Sequence, residues 1–176
     1  MRKCMAIVWI LCLQLVAHGQ AQNTYADFTS TINKLYTATD TELEGTWKQL
    51  VSDKRIPLTC EDSVAFLYHG HAASVAWVGD FNAWGYDKQF ANKGKQIRKT
   101  DYWILRTSVP KDARLDYKIL VDDRQWLLDP SNVACQWSGV GGGSLNSELR
   151  MPYWRRDSLT SSRITASPRG QLQKDI

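Results

Sequence analysis

The stretch Val75-Ala76-Trp77-Val78-Gly79-Asp80-Phe81-Asn82-Ala83-Trp84 decides the fold class: an apolar run of strand length breaks off at a Gly-Asp corner that carries two aromatics. Ala76 and Val78 alternate with Val75 and Trp77, the period of two of a strand buried on one or both faces. Gly79 and Asp80 end the strand, and Asn82, whose side chain can bond its own backbone, tightens the loop. Trp84 is thereby held at the rim of a sheet instead of in its core, where a rigid indole makes a good binding surface.

The same period spreads outward from this stretch. Upstream, Val64, Phe66 and Tyr68 share one face and Ala65, Leu67 and His69 the other, so a β domain begins at Ser63. Downstream, Tyr102 to Thr107 and Leu115 to Val121 read as strands joined by the turn Pro110-Lys111-Asp112-Ala113. Leu115, Tyr117, Ile119 and Val121 point one way, which turns Lys118 outward beside Asp116 and Leu120. Asp122-Asp123 makes a hairpin turn, Trp126-Leu127-Leu128 pairs back, and Asp129-Pro130 ends that strand. After a Gly-rich loop, Gly139 to Ser144, the last strand runs from Leu145 to Met151. Short strands at this spacing predict a β-sandwich.

Before Ser63 the apolar period is that of a helix. Phe28, Ile32, Leu35 and Tyr36 form one stripe, with Asp27 as the expected N-cap. Thr39 and Glu42 form a capping box for a second, carrying Leu43, Trp47, Leu50 and Val51 and closed by Pro57. Two short helices make no core alone, so both stripes are expected to cover the sheet domain.

Residues 1–21 read as a secretory leader: Arg2 and Lys3, an apolar run from Ala6 to Val16, then the small-residue site Gly19-Gln20-Ala21. The run is too short to span a bilayer, so the expectation is a secreted or periplasmic protein with no membrane partner after cleavage. Losing Arg2 and Lys3 takes the formal charge from +4 to +2, and five basic against two acidic residues from Arg155 on leave the folded part near −1. That balance offers no basic field for nucleic acid. Export leaves Cys60 and Cys135 in an oxidising compartment, either as a disulfide or as two buried thiols, which spacing alone does not decide.

The series Gly79-Asp80-Phe81-Asn82-Ala83-Trp84, Asp116-Tyr117-Lys118, Val121-Asp122, Trp126, Leu128-Asp129-Pro130 and Asn146-Ser147-Glu148-Leu149-Arg150-Met151-Pro152 resembles an immunoglobulin-like domain of the early set (E-set). It is similar to the family-48 carbohydrate-binding modules, and most of all to the domain that precedes the α/β-hydrolase domain of secreted bacterial esterases, helical lead-in included. The resemblance implies a mainly β, immunoglobulin-like sandwich with two short N-terminal helices. It divides the chain into leader (1–21), helical lead-in (22–61), sandwich (62–154) and a polar tail or the start of an esterase domain (155–176). In the glycogen-binding members two tryptophans, a lysine and an asparagine hold the sugar, which carries over to Trp84, Trp126, Lys118 and Asn146. Indole faces suit the apolar faces of sugar rings, and an ammonium and an amide suit their hydroxyls. One position departs: a leucine in the Gly-rich loop of those binders falls here at about Gly142, which removes an apolar contact.

The esterase resemblance also implies a Gly-x-Ser-x-Gly elbow followed by an acid and a histidine. Gly142-Gly143-Ser144-Leu145-Asn146 lacks the last glycine, and His69 and His71, the histidines after the leader, precede it. The chain is therefore expected to be non-catalytic, with no cofactor and no metal. Its expected partner is a glycan or a catalytic α/β-hydrolase domain. Plainer readings stand beside these: the tryptophans as structural caps, Lys118 on a solvated face, and Asp122 and Asp123 as turn formers. Three functions are compatible with the residues: an accessory domain of an esterase, a free-standing carbohydrate-binding module, and a sandwich used only for protein contacts.

Overall fold

The computed structural model describes residues 24–87, 89–90, 92–138 and 143–156. The leader, Gly142 and most of the polar tail lie outside the described residues.

Two helices, α1 (Tyr25–Thr37) and α2 (Asp40–Ser52), open the described chain. Both start with a capping box. In α1 the cap is Thr24, not Asp27: the Thr24 hydroxyl accepts from Asp27 N–H at 3.2 Å, and Asp27 is the acidic partner three residues on. In α2 the roles fall on Thr39 and Glu42 as the spacing predicts. Phe28, Ile32, Leu35, Leu43 and Leu50 are buried, whereas Tyr36 and Val51 sit at the solvent edge of their stripes.

Among the described residues nine strands follow: β1 (Leu58–Cys60), β2 (Ser63–His69), β3 (Val75–Gly79), β4 (Lys95–Gln96), β5 (Tyr102–Ser108), β6 (Arg114–Val121), β7 (Gln125–Leu127), β8 (Cys135–Trp137) and β9 (Leu145–Arg150). They form two antiparallel sheets. One has the order β1-β2-β5-β4; the other has the order β3-β6-β9-β8, with β7 paired to the C-terminal half of β6. The chain is thus mainly β with a few helices. β1, which the sequence assigns to the helical lead-in, is an edge strand of the first sheet, with Leu58 opposite Ala65.

The alternation along β2 organises the layers. Ala65 and Leu67 face the helices and join Phe28, Ile32, Leu35, Leu43 and Leu50 in one buried cluster, with Trp47 packed against it. Val64, Phe66 and Tyr68 face the second sheet and meet Val75, Trp77, Tyr117, Ile119, Val121 and Leu149 in another. Phe66 lies at its centre, 5.0 Å from Tyr117, 5.3 Å from Phe81 and 6.0 Å from Trp77 between ring centroids. Truncating such a ring costs roughly 3–5 kcal/mol. Among the described residues, the first sheet is therefore covered on both faces, and the second only on its inner one.

Cys60 and Cys135 are not joined: both are thiols. Cys60 is buried in the cluster under the helices, whereas Cys135 is exposed on β8 of the other sheet, so the chain gives them no common position. Among the described residues no helix is long and apolar enough to cross a membrane.

Candidate functional site

The strand-to-corner stretch is built around a close approach. A Cβ at Gly79 would stand 2.2 Å from the Asp116 carbonyl oxygen, so only glycine lets β3 lie this close to β6. Asn82, fully buried, then closes the loop. Its Oδ1 accepts from Gly79 N–H at 3.0 Å and Gly85 N–H at 3.1 Å, and its Nδ2 donates to the Trp77 carbonyl at 2.9 Å. Ala83, Trp84 and Gly85 all take left-handed backbone angles, with φ of 47°, 57° and 88°. Two of these carry side chains, at a cost on the order of 1–2 kcal/mol each. The half-buried Trp84 is fixed further by its indole N–H, which donates to Asp80 Oδ1 at 3.1 Å, while Asp80 Oδ2 accepts from Asp116 N–H at 2.8 Å. The loop is thus tied to β6 by both ends of one aspartate.

The uncovered face of the second sheet follows from register. Val78 lies opposite Lys118 and Ala76 opposite Leu120. Leu120 lies opposite Trp126, Asp116 opposite Glu148, and Gln136 opposite Asn146. Since Tyr117, Ile119 and Val121 point into the core, all these residues share the outer face. Lys118, Trp126 and Asn146 therefore lie on one face, and Trp84 follows β3 at its end. Trp126 is 51% exposed. Lys118 extends its Nζ to the Ser144 hydroxyl at 2.6 Å.

Asn146 is placed on this face but is not open to it. It is buried, and its Nδ2 donates to Asp116 Oδ2 at 3.1 Å. Asp116 also accepts from the Gln136 amide, whose oxygen takes the Arg114 guanidinium. Arg114 in turn meets Glu148, which Arg150 grips with Nε at 2.7 Å and a terminal nitrogen at 2.9 Å. Burial works to raise the Glu148 carboxyl, but Arg150 and Arg114 outweigh it and hold it below the ordinary range. The Trp154 ring stacks beneath both guanidiniums, 5.1 Å from Arg150 and 6.0 Å from Arg114. Two carboxylates and two guanidiniums cancel, which among the described residues leaves the face positive through Lys118 and the exposed Lys93, opposite Ala76.

A second polar group lies under the same strands. Asp129 is buried, its Oδ2 accepting from the Tyr117 hydroxyl at 2.8 Å and its Oδ1 from Ser131 N–H at 2.9 Å. Its own N–H donates to Ser147 Oγ at 2.8 Å, and Asn132 bridges Tyr117 Oη and the Glu148 carbonyl. Burial pushes the Asp129 carboxyl from 3.8 to about 6.

The two histidines take separate partners. His69 stacks on Tyr102 at 4.1 Å with Trp47 edge-on, while His71 pairs with Asp101 at 3.2 Å. Sequence reasoning turned Asp116 outward but did not connect it to Gln136 or Glu148. The outward parity of β6 was the available signal for Asp116; β8, at three residues, gave none for Gln136.

No protein-family pattern matches the chain. No curated protein matches it either. Among solved structures, it is similar to an enterochelin esterase from Shigella flexneri at 17% identity and a TM-score of 0.47, covering 68% of this chain and 37% of that one. It is also similar to the ferric enterobactin esterase from Salmonella typhimurium at 16% identity and a TM-score of 0.42, covering 53% of this chain and 32% of that one. The chain thus spans about a third of the length of the esterases it resembles, at low identity.

Proposed function

We propose that the chain is a non-catalytic, immunoglobulin-like early-set domain of an exported esterase, and that the open face of its second sheet holds a carbohydrate for the catalytic domain. The observation that carries this reading is the pairing of a half-exposed indole, Trp126, with the Lys118 ammonium, which bonds the Ser144 hydroxyl, on the sheet face that no other described element covers. A sugar ring stacks on the indole, and the Lys118 ammonium and Ser144 hydroxyl bond its hydroxyls. Trp84 flanks the face in a backbone conformation set before any ligand arrives. Asn146 acts at one remove, by orienting Asp116.

Affinity is weak, because one stacked ring and a few water-exposed bonds leave a small surplus over the ordering cost. It is poorer for α-glucans than for other glycans, given the departure near Gly142. Titration of soluble oligosaccharides followed by tryptophan fluorescence tests the reading. Saturable quenching is expected, and Trp126→Ala should abolish it without unfolding the protein. Tight maltoheptaose binding would contradict the expected preference, and binding that survives both Trp126→Ala and Lys118→Ala would place the site elsewhere. The non-catalytic part has its own test. Hydrolysis of a p-nitrophenyl ester that survives purification and disappears in Ser144→Ala would overturn it.

A further inference from the structure

A third tryptophan stands at the rim of the face proposed for carbohydrate. Trp137, the last residue of β8, is 62% exposed, the most open indole among the described residues. A single exposed apolar side chain calls for no explanation; what sets Trp137 apart is how it is held and what it adjoins. Leu145, directly opposite it on β9, is exposed as well, so the two form one apolar platform. Gly143 lies against the indole: a Cβ there would stand 3.0 Å from Trp137 Nε1 and 2.8 Å from Ser138 Oγ. The Ser138 N–H donates to the Ser144 carbonyl at 3.1 Å, which ties the two ends of the loop together.

Register places this platform next to the polar centre of the face. Gln136 lies opposite Asn146 and points outward, so Trp137 leaves β8 on the other side and stands at the edge of the sheet. Its nitrogen edge still reaches Gly143, one residue, or about 3.8 Å between Cα atoms, from Ser144. Ser144 is the hydroxyl that takes the Lys118 ammonium at 2.6 Å. Lys118 in turn lies two residues, about 7 Å along β6, from Leu120, which is opposite Trp126. One polar pair, Lys118 and Ser144, thus adjoins two open indoles, Trp126 on the sheet face and Trp137 at its edge.

Resting on the carbohydrate reading above, we propose that Trp137 is a second stacking subsite and that the ligand is a linear oligosaccharide. One ring stacks on Trp126 within reach of Lys118 and Ser144, and a later ring of the same chain turns over the sheet edge onto Trp137. An indole face suits the apolar face of each ring.

The test is an indole N–H NMR titration of the full chain with cellobiose and cellohexaose and, separately, with xylobiose and xylohexaose. The hexamer should shift the Trp126 and Trp137 signals together and bind about tenfold more tightly than its dimer, the gain of one stacked ring. Trp137 belongs to neither buried cluster, so Trp137→Ala should remove that gain while dimer binding and the thermal midpoint hold. Trp137→Phe, which keeps a ring, should restore part of the gain. The second subsite is overturned, and the first left standing, if the hexamer binds no more tightly than its dimer. The same holds if the Trp137 signal stays still while Trp126 moves, or if Trp137→Ala keeps the gain. A concentration-dependent mass in sedimentation that Trp137→Ala abolishes would overturn it too, by assigning the indole to a protein contact. Failure of every oligosaccharide to shift Trp126 overturns the carbohydrate reading itself, and this inference with it.

Discussion

Asp129 makes the protein more stable in mild acid, in a way that one substitution removes. The carboxyl is 3% exposed, and burial raises it from 3.8 to about 6 against the opposing bonds from Tyr117 and Ser131. The folded protein therefore takes up this proton before the unfolded chain does. The resulting stabilisation is fully present below about pH 3.8 and is lost as pH rises through about 6. Its full extent is about 3 kcal/mol. Between pH 7.5 and pH 5 the share gained is about 1.4 kcal/mol. Glu148 works with the opposite sign, since its carboxyl is held low and its contribution is lost only as pH falls below its ordinary 4.5, outside this window. Urea denaturation of the wild type and of Asp129→Asn at both pH values is the assay. The amide keeps one oxygen for Ser131 and cannot ionise, so the difference between the two proteins cancels every other titrating group. The wild type should gain about 1.4 kcal/mol on acidification relative to Asp129→Asn. Equal pH slopes in the two proteins, or a wild type that loses stability relative to the variant, would refute the reasoning.

Two other perturbations test the loop and the thiols. Asn82→Ala removes three hydrogen bonds from a buried position and should cost roughly 3 kcal/mol in chemical denaturation, at about 1 kcal/mol per bond. It should also increase acrylamide quenching as Trp84 loosens; a change under about 1 kcal/mol would mean the bonds do not hold the corner. Cys135 should react with a thiol reagent in the native protein and Cys60 only after unfolding, with no effect of reductant on the thermal midpoint. Loss of stability on reduction would restore the disulfide.

Much of this was legible because it depends on periodicity. The alternation along β2 assigned Phe66 and Leu67 to opposite faces, and both sides proved buried, one under the helices and one under the second sheet. The parity of β6 turned Lys118 outward, and the Asn82 loop was foreseen from side-chain chemistry alone. What escaped has no period. β1, β4 and β8 are two or three residues long, too short to alternate, and exist because a neighbouring strand offers them a ladder. The α1 cap was misplaced because Thr24 and Asp27 both suit an N-cap, and only the direction of the bond between them tells which is which. Asn146 looked like a ligand-facing amide, but Asp116, on the neighbouring strand and thirty residues away in sequence, had already taken it. Asp129 read as the end of a strand; that it lies under Tyr117 is a fact of packing.

The edges of the two sheets bear on how the protein behaves in crowded solution. A long unpaired strand invites another chain to add to it. β1, β7 and β8 expose three residues each and β4 two, lengths that hold no stable register with a second copy. The longer edge, β3, is already occupied: Trp77 N–H donates to the Asn92 carbonyl and Gly94 N–H to the Val75 carbonyl, both within 2.9 Å. Gly94 can come this near because a Cβ there would strike the Trp77 ring at 2.6 Å. One glycine, by letting a loop lie along β3, thereby takes away the longest edge strand among the described residues as a template for fibrous self-association.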